Sequence, residues 1–369
     1  MVYLSASIST DMKSIFFTPG PSQLYFTVEE HLKKALKENI GSISHRSSQF
    51  KDIYKAADNG LRALLGIPDN FSIVFTSSAT EIWERTIQGC VIENSLHFVN
   101  GAFSSKFHQT AELLGIKANH IKADPGQCAS IRDYKGIEPE LIAFTHNETS
   151  TGASHPLEDI YLAREVYPNA LITVDAVSSL PIVDVNYSKI DSIYFSVQKC
   201  FGLPAGLGVW IVNDRFMEAA LKKESLRKIT GGTLRFSVIY KAALEFQTSA
   251  TPNVLNVFLL AKVVEDMNLK GIDMIRREAI YKAAVLYNMI EEIEALSPFV
   301  TDTKLQSKTC IVANYSDPEN IIQKLSNKGL IIGNGHGKYS KEHLRIANFP
   351  THSKEQIELL ADTLTGALG

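Results

Sequence analysis

Short apolar runs alternate with segments of helical length through the first two thirds of the chain. Such runs predict buried strands, whereas apolar residues spaced three and four positions apart predict helices. The predicted strands are 71–75, 96–100, 141–145, 171–174, 192–196 and 208–212, and the predicted helices include 27–38, 50–65 and one that opens within 76–80 and runs to about 91. This alternation is typical of a mostly parallel sheet covered by helices on both faces.

The pattern changes after about residue 250. Two long helices are predicted first, and the remaining elements are short strands and helices: 254–267, 274–296, 309–313, 321–328, 329–332, 343–347 and 354–364. Because 369 residues exceed the roughly 250–300 at which single cores stop growing, we expect two domains. We place a large α/β domain at 15–250 and a small α+β domain at 251–369, with residues 1–14 as an N-terminal arm.

Composition excludes several classes of function. The net charge of −3 comes from interspersed acidic and basic residues without a basic stripe, which argues against nucleic acid or a membrane surface as partner. No apolar stretch reaches the roughly 18 residues of a membrane span, and the first residues lack the pattern of an export signal. The four cysteines are far apart and no histidine cluster has ligand spacing. We therefore expect no disulfide framework, no metal site and a cytoplasmic location.

Two charged residues stand at the carboxyl ends of predicted strands. Lys199 follows the apolar run 190–195, and Asp175 ends the run 170–174. Open α/β sheets bind ligands at this edge. The pair suits pyridoxal phosphate, because a lysine amine condenses with the cofactor aldehyde and an aspartate keeps the pyridine nitrogen protonated. Either residue alone could be a solvated strand end or a helix cap, but the glycines and proline after Lys199 favour close approach of a flat ligand.

Other strand ends carry further candidates. Ser78 and Thr80 lie between a strand and a helix, where hydroxyl and N–H groups form an anion site, although either could simply cap the helix. Phe103 could stack on a ring or belong to the core, and Thr149 could bond a cofactor hydroxyl or lie in an ordinary loop. The sequence contains neither a P-loop nor a dinucleotide-binding glycine motif, which disfavours nucleotide chemistry.

Substrate contacts are predicted from histidines and arginines. His45 and Arg46 are adjacent in a serine-rich turn, which suits an anion clamp or a solvated loop. Arg345 interrupts an apolar strand and needs a partner, which is either a substrate carboxylate or an acidic group of the protein. His336 lies on a glycine-rich loop that could approach a ligand.

Nearly the whole chain, from Phe17 onward, resembles the class V aminotransferases of the fold type I pyridoxal phosphate enzymes. The resemblance rests on Thr18-Pro19-Gly20-Pro21, on 44–50, and above all on Gln198-Lys199 with its glycine- and proline-containing continuation. It implies a mostly parallel seven-stranded sheet in the large domain, a smaller α+β C-terminal domain, and a homodimer with shared active sites. Several segments are most similar to the branch that exchanges an amino group between phosphoserine and 2-oxoglutarate in serine biosynthesis.

The resemblance also implies residue roles. Lys199 would carry the cofactor and, once freed, move the substrate proton, while Asp175 would pair with the pyridine nitrogen. The other implied contacts, together with Ser78 of the anion site, are Ala79, Thr80 and Gln198 at the cofactor phosphate, Phe103 stacked on its ring, Thr149 at the ring hydroxyl, Thr251 reaching the phosphate from a neighbouring subunit, Arg345 at the substrate α-carboxylate, and His45, Arg46 and His336 at the substrate phosphate.

Departures from the family pattern keep alternatives open. Phe103 stands where the family usually has a tryptophan, and Ser77-Ser78 replace a glycine-rich phosphate loop. A class V enzyme for a small unphosphorylated amino acid, of the alanine– or serine–glyoxylate type, is one alternative. A lyase or cysteine desulfurase is another, disfavoured because neither Cys200 nor Cys310 resembles an exposed nucleophile. A sensor that has lost catalysis is a third, disfavoured by the intact lysine and aspartate.

Overall fold

The computed structural model describes residues 14–228 and 231–369. Its strands are β1 Ile15–Phe17, β2 Phe71–Thr76, β3 Asn94–Val99, β4 Lys117–Lys122, β5 Leu141–Thr145, β6 Asn147–Glu148, β7 Ala153–Ser154, β8 Leu171–Asp175, β9 Ser192–Ser196, β10 Gly208–Asn213, β11 Ser297–Pro298, β12 Cys310–Asn314, β13 Leu330–Asn334 and β14 His343–Ala347. Its α-helices are α1 Val28–Lys37, α2 Ser48–Leu65, α3 Ala79–Cys90, α4 Ala102–Leu113, α5 Leu157–Val166, α6 Asp214–Ser225, α7 Phe236–Leu244, α8 Val254–Lys270, α9 Ile272–Glu292, α10 Pro318–Ser326 and α11 Lys354–Leu368. The predicted N-terminal arm lies outside the described residues, apart from Ser14.

Seven strands form the main sheet in the order β2–β10–β9–β8–β5–β3–β4. Neighbouring strands are parallel except around β10, which is antiparallel to both β2 and β9. Every residue of β3, β5, β8, β9 and β10 is buried, as expected for strands covered on both faces. The predicted mostly parallel α/β sheet is confirmed.

The register of the parallel strands determines where the site lies. Thr145 at the end of β5 pairs with Asp175 at the end of β8, and Asp175 pairs with Tyr194 in β9. β9 ends at Ser196, shortly before Lys199. The two charged residues singled out from the sequence therefore leave the sheet at the same edge.

A second sheet, in the order β1–β13–β14–β12–β11, is formed by four strands of the C-terminal part of the chain and by β1. It has its own apolar core, built mainly from the strands and from α9, α10 and α11. Phe17 of β1 is fully buried in this core, and β1 pairs in parallel with β13. A strand of three residues carries too little pattern to be predicted from the sequence.

The domain division at residue 250 stays a prediction, but two segments pack across it. β1 lies in the C-terminal sheet although the predicted large domain begins at residue 15. Helix α8 packs along α2, and its side chains Val257, Leu260 and Val264 are buried in the core of the main sheet. The sequence could not reveal this packing, because an apolar helix shows the same pattern whichever core covers it.

Local signals agree with several predicted boundaries. α2 ends at Gly66, whose φ of 64° is the left-handed conformation that favours glycine after a helix. Ser353 caps α11 and forms a reciprocal pair with Gln356. β4 was missed because it is an edge strand with exposed and half-buried residues rather than an apolar run. Within the described ranges, none of the helices combines the length and the apolar composition that crossing a bilayer requires.

Candidate functional site

A cavity of about 420 Å³ opens at the carboxyl ends of the main-sheet strands, and we call it the lysine cavity. Ten of the thirteen site residues predicted from the sequence line it: Ser78, Ala79, Thr80, Phe103, Thr149, Asp175, Gln198, Lys199, His336 and Arg345. The remaining three, His45, Arg46 and Thr251, do not line it.

Lys199 lies on the floor of this cavity and is 7% exposed. Its Nζ donates a hydrogen bond of 2.8 Å to Thr149 Oγ1, and burial lowers its pKa below that of a solvated lysine. Two other buried lysines differ, because the ammonium groups of Lys223 and Lys282 each donate to two backbone carbonyls. Lys199 has a single hydroxyl acceptor and therefore an amine that is poorly satisfied as a cation.

Asp175 is buried beside it, and burial raises the pKa of its carboxyl to about 6. The backbone N–H of Val177 donates to Oδ1 at 3.0 Å, and this bond and the positive charge of Lys199 act against that rise. A cationic partner would strongly stabilise the ionised form of this buried carboxylate, because it would compensate for the hydration lost on burial.

Phe103 forms one wall, with its ring centroid 5.2 Å from Lys199 Nζ. Its backbone position is fixed by Glu148, a fully buried carboxylate that accepts from the N–H groups of Phe103 and Ser104 at the start of α4. Gly101 leaves room for this carboxylate, since a Cβ there would lie 2.2 Å from Glu148 Cγ. A negative charge at a helix N-terminus is favourable, so Glu148 holds the aromatic wall in place.

The N-terminus of α3 forms another part of the cavity wall. Ser78 is the N-cap residue, and its hydroxyl accepts from the N–H of Glu81 at 3.2 Å. The N–H of Ala79 donates to Ser196 Oγ at 2.9 Å. Thr80 is exposed, and neither its N–H nor its hydroxyl has a hydrogen-bond partner within the described residues. Both the capping and the anion-site interpretations of this segment are therefore compatible with its geometry, since the cap leaves donor groups available.

Arg345 enters the cavity from β14 of the second sheet. Its Nε donates to the carbonyl of Asn334 at 2.7 Å, and one terminal nitrogen donates to the carbonyl of Thr149 at 3.3 Å. Both acceptors are neutral carbonyls, so the guanidinium charge is available for an anion. His336 lies nearby, with its ring centroid 5.5 Å from that of Phe103.

The three predicted residues outside the lysine cavity lie elsewhere in the same chain. Thr251 lines a separate cavity of about 330 Å³ together with Ser77 and Glu81. His45 and Arg46 precede α2, where Arg46 is exposed and His45 Nε2 is buried without a hydrogen-bond partner. A single chain therefore does not bring these three residues to Lys199.

Sequence reasoning missed several residues of the site. Trp83, Asn147 and Ser196 line the lysine cavity, and Ser178 accepts hydrogen bonds from Asn147 and Thr149. Gly20 lies directly over the lysine, since a Cβ there would come within 2.8 Å of Lys199 Cε. The Pro19-Gly20-Pro21 turn in the sequence could have indicated the role of Gly20. Nothing in the sequence near Trp83 distinguishes this residue from a core residue.

The cysteines nearest the lysine are enclosed. Cys200 and Cys310 are both fully buried, and burial raises the pKa of both thiols. Neither is therefore an exposed thiolate of the kind that desulfurase chemistry requires. In the described part of the chain, no group of three or more histidine, cysteine or acidic side chains is placed to hold a metal ion.

Known aminotransferases are similar to this chain over nearly its whole length. A phosphoserine aminotransferase of Cytophaga hutchinsonii superposes with a TM-score of 0.95 at 46% identity, covering 96% of this chain and 99% of that one. A phosphoserine aminotransferase of Rhodococcus opacus is 28% identical over 351 residues, which span 93% of this chain and 91% of the relative. An alanine–glyoxylate aminotransferase from a Nostoc species shares the fold, with a TM-score of 0.82 at 20% identity and coverage of 99% and 98%.

The match to a family profile covers most of the chain. Residues 15–349 match the profile described as aminotransferase class-V, and this span includes every residue that lines the lysine cavity. Fold, cavity and profile agree, and the chain belongs to the class-V aminotransferase family.

Proposed function

We propose that this chain is a pyridoxal phosphate-dependent aminotransferase that exchanges the amino group of O-phosphoserine with 2-oxoglutarate. The observation that carries the proposal is the enclosure of Lys199, Asp175 and Arg345 in one cavity. The substrate assignment is supported by the names of the relatives, among them the 46% identical Cytophaga protein, whereas the alanine–glyoxylate relative is 20% identical.

The residues of the lysine cavity fit the proposed cofactor. The phosphate dianion of the cofactor would lie at the positive N-terminal end of α3 and accept hydrogen bonds from the unpartnered donors of Thr80. Ala79, Ser78 and Gln198 line the same part of the cavity. Asp175 offers a buried carboxylate to a ring N–H, and Phe103 offers an apolar face. When bound, pyridoxal phosphate supplies an aldehyde that condenses with amines and a protonated ring that withdraws electrons.

Lys199 would act as carrier and as general base. Because burial lowers its pKa, a larger share of the released side chain is the neutral amine at a given pH. Its Nζ would accept the proton of the substrate α-carbon, and the hydroxyl of Thr149 at 2.8 Å would orient it. Asp175 would remain ionised against a cationic partner, even though its pKa is about 6 in the protein alone.

Substrate recognition would be divided between two subunits of a homodimer. Arg345 would hold the α-carboxylate through its fork of N–H groups, and His336 would lie toward the substrate phosphate. His45, Arg46 and Thr251 lie away from the lysine cavity of their own chain, so we propose that they complete the cavity of a second copy. The unpartnered Nε2 of His45 supports this division, since such an atom favours an additional polar contact.

The test is a comparison of amino donors with the purified enzyme loaded with pyridoxal phosphate. O-phosphoserine, alanine and serine are each supplied with 2-oxoglutarate, and glutamate formation is measured. We expect phosphoserine to give the highest kcat/KM, and we expect Arg46→Ala to lower that value by about 10-fold or more while leaving slow alanine turnover unchanged. Turnover of alanine or serine without turnover of phosphoserine would move the enzyme to the small-amino-acid branch.

A further inference from the structure

A second cavity, of about 310 Å³, lies on the other side of Asn147 from the lysine cavity. Its walls come from the β5–β6 and β7–α5 connections, the segment after β8, and the region 304–309 of the C-terminal part. We call it the histidine cavity, because His146 and His155 both line it. It has no assigned role in the transamination proposed above.

The walls of the histidine cavity include three residues with unsatisfied polar groups. His146 Nδ1, His155 Nε2 and Ser179 Oγ are buried and have no hydrogen-bond partner in the described part of the chain. Their side chains are 8%, 1% and 4% exposed. Buried polar groups are nearly always paired, so three such groups around one cavity indicate a polar ligand.

The charges around the cavity select an anion. Lys304 and Lys308 line it and are exposed, whereas no aspartate or glutamate does. The N-terminus of α5 borders the cavity at Pro156 and Leu157, but Glu158 and Asp159 in its first turn offset the positive helix end. Burial lowers the pKa of His146 to about 4 and of His155 to about 3, so both rings are neutral near pH 7 and act as hydrogen-bonding groups. The positive charge at the cavity comes from Lys304 and Lys308.

The remaining wall residues determine the kind of anion. Ile182, Val183 and Ile280 add apolar surface to the lining of the cavity. A volume of about 310 Å³ lies at the lower end of the roughly 300–1,000 Å³ typical of ligand sites, so the ligand is small. We propose that the histidine cavity binds a small organic carboxylate, distinct from the substrates held at Lys199.

The test measures binding of propionate and succinate to the cofactor-loaded enzyme by calorimetry, with inorganic phosphate as a comparison anion. Arg345→Ala weakens carboxylate binding in the lysine cavity, so binding that persists in this variant lies outside that cavity, and the variants below test whether it lies in the histidine cavity. In the Arg345→Ala background, we expect Lys304→Glu together with Lys308→Glu to weaken propionate or succinate binding by about 10-fold or more. Lys324→Glu with Lys328→Glu makes the same change of charge on exposed residues that do not line the cavity, and it should leave binding unchanged.

Several results would overturn the proposal. They are loss of all carboxylate binding in Arg345→Ala alone, equal binding by the two double-lysine variants, or tighter binding of phosphate than of either carboxylate. Ser179→Ala supplies a second variant that removes one unpartnered oxygen without changing charge, and we expect it to weaken binding several-fold. These outcomes do not depend on the amino donor, so they are separate from the test of the proposed function.

Discussion

The floor and the outer rim of the lysine cavity are organised differently. On the floor, Lys199 and Asp175 are buried and their hydrogen-bond partners come from the same chain. At the rim, Thr80 is exposed with unpartnered donors, and Arg46 and Thr251 lie outside the cavity. We propose from this difference that one chain builds the chemical end of the site, whereas recognition of the substrate phosphate needs a second chain.

The largest expected effect comes from removing the amine on the floor. Lys199→Ala should lower multiple-turnover transamination by at least about 10³-fold, because Lys199 is the only lysine among the described residues that line the lysine cavity. The measurement is steady-state glutamate formation with phosphoserine. Lys282→Met serves as the matched control: it removes a buried lysine that bonds only backbone carbonyls, so it should lower stability but keep activity per folded molecule.

A smaller loss is expected at the second floor residue. Asp175→Asn keeps the shape and the acceptor for the Val177 N–H but loses the negative charge that would stabilise a protonated ring. We expect kcat to fall by about 10²-fold or more with phosphoserine. Retention of kcat within a few-fold of the unsubstituted enzyme would show that Asp175 does not carry an electrostatic role.

A substitution of Arg345 tests whether this residue binds the α-carboxylate common to all amino donors or the phosphate of phosphoserine alone. Arg345→Lys retains a positive charge but loses the planar fork, so we expect kcat/KM for every amino donor to fall by roughly 10- to 100-fold. Unlike Arg46→Ala, the change should affect phosphorylated and unphosphorylated donors equally. An effect confined to phosphoserine would place Arg345 at the substrate phosphate instead.

The pH dependence of the free energy of unfolding measures how much the ionised, buried carboxylate of Asp175 destabilises the fold. The pKa of Asp175 is raised from 3.8 to about 6, so the folded protein binds more protons than the unfolded chain between these values. The extra proton binding by the folded state contributes stability that is fully present below pH 4 and is lost as the pH rises through 6. In cofactor-free protein at pH 7.5, Asp175→Asn should therefore raise the free energy of unfolding by up to about 3 kcal/mol. Urea unfolding at pH 7.5 and at pH 4 measures it, and an equal difference at both values would contradict this cause.

The floor was largely predictable from the sequence, and so was Thr80 at the rim, whereas the positions of Arg46 and Thr251 outside the cavity were not. Thr149, Asp175 and Lys199 follow apolar strands, and the parallel register of β5, β8 and β9 brings such strand ends together. Glu148 was missed, because a carboxylate that holds a helix end looks like any polar loop residue until the fold places Phe103 beside it. The packing of α8 and the placement of Thr251 depend on tertiary contacts that periodicity does not encode.

Subunit complementation tests the division between floor and rim most directly. Lys199→Ala and Arg46→Ala chains are purified separately, mixed under conditions that exchange subunits, and assayed with phosphoserine. If Arg46 serves the site of its partner, each mixed dimer has one site with both residues intact, and activity should recover to about one quarter of the unsubstituted enzyme at random mixing. If Arg46 serves its own chain, no mixed dimer has an intact site, and activity that stays at the level of the separate variants would contradict the account.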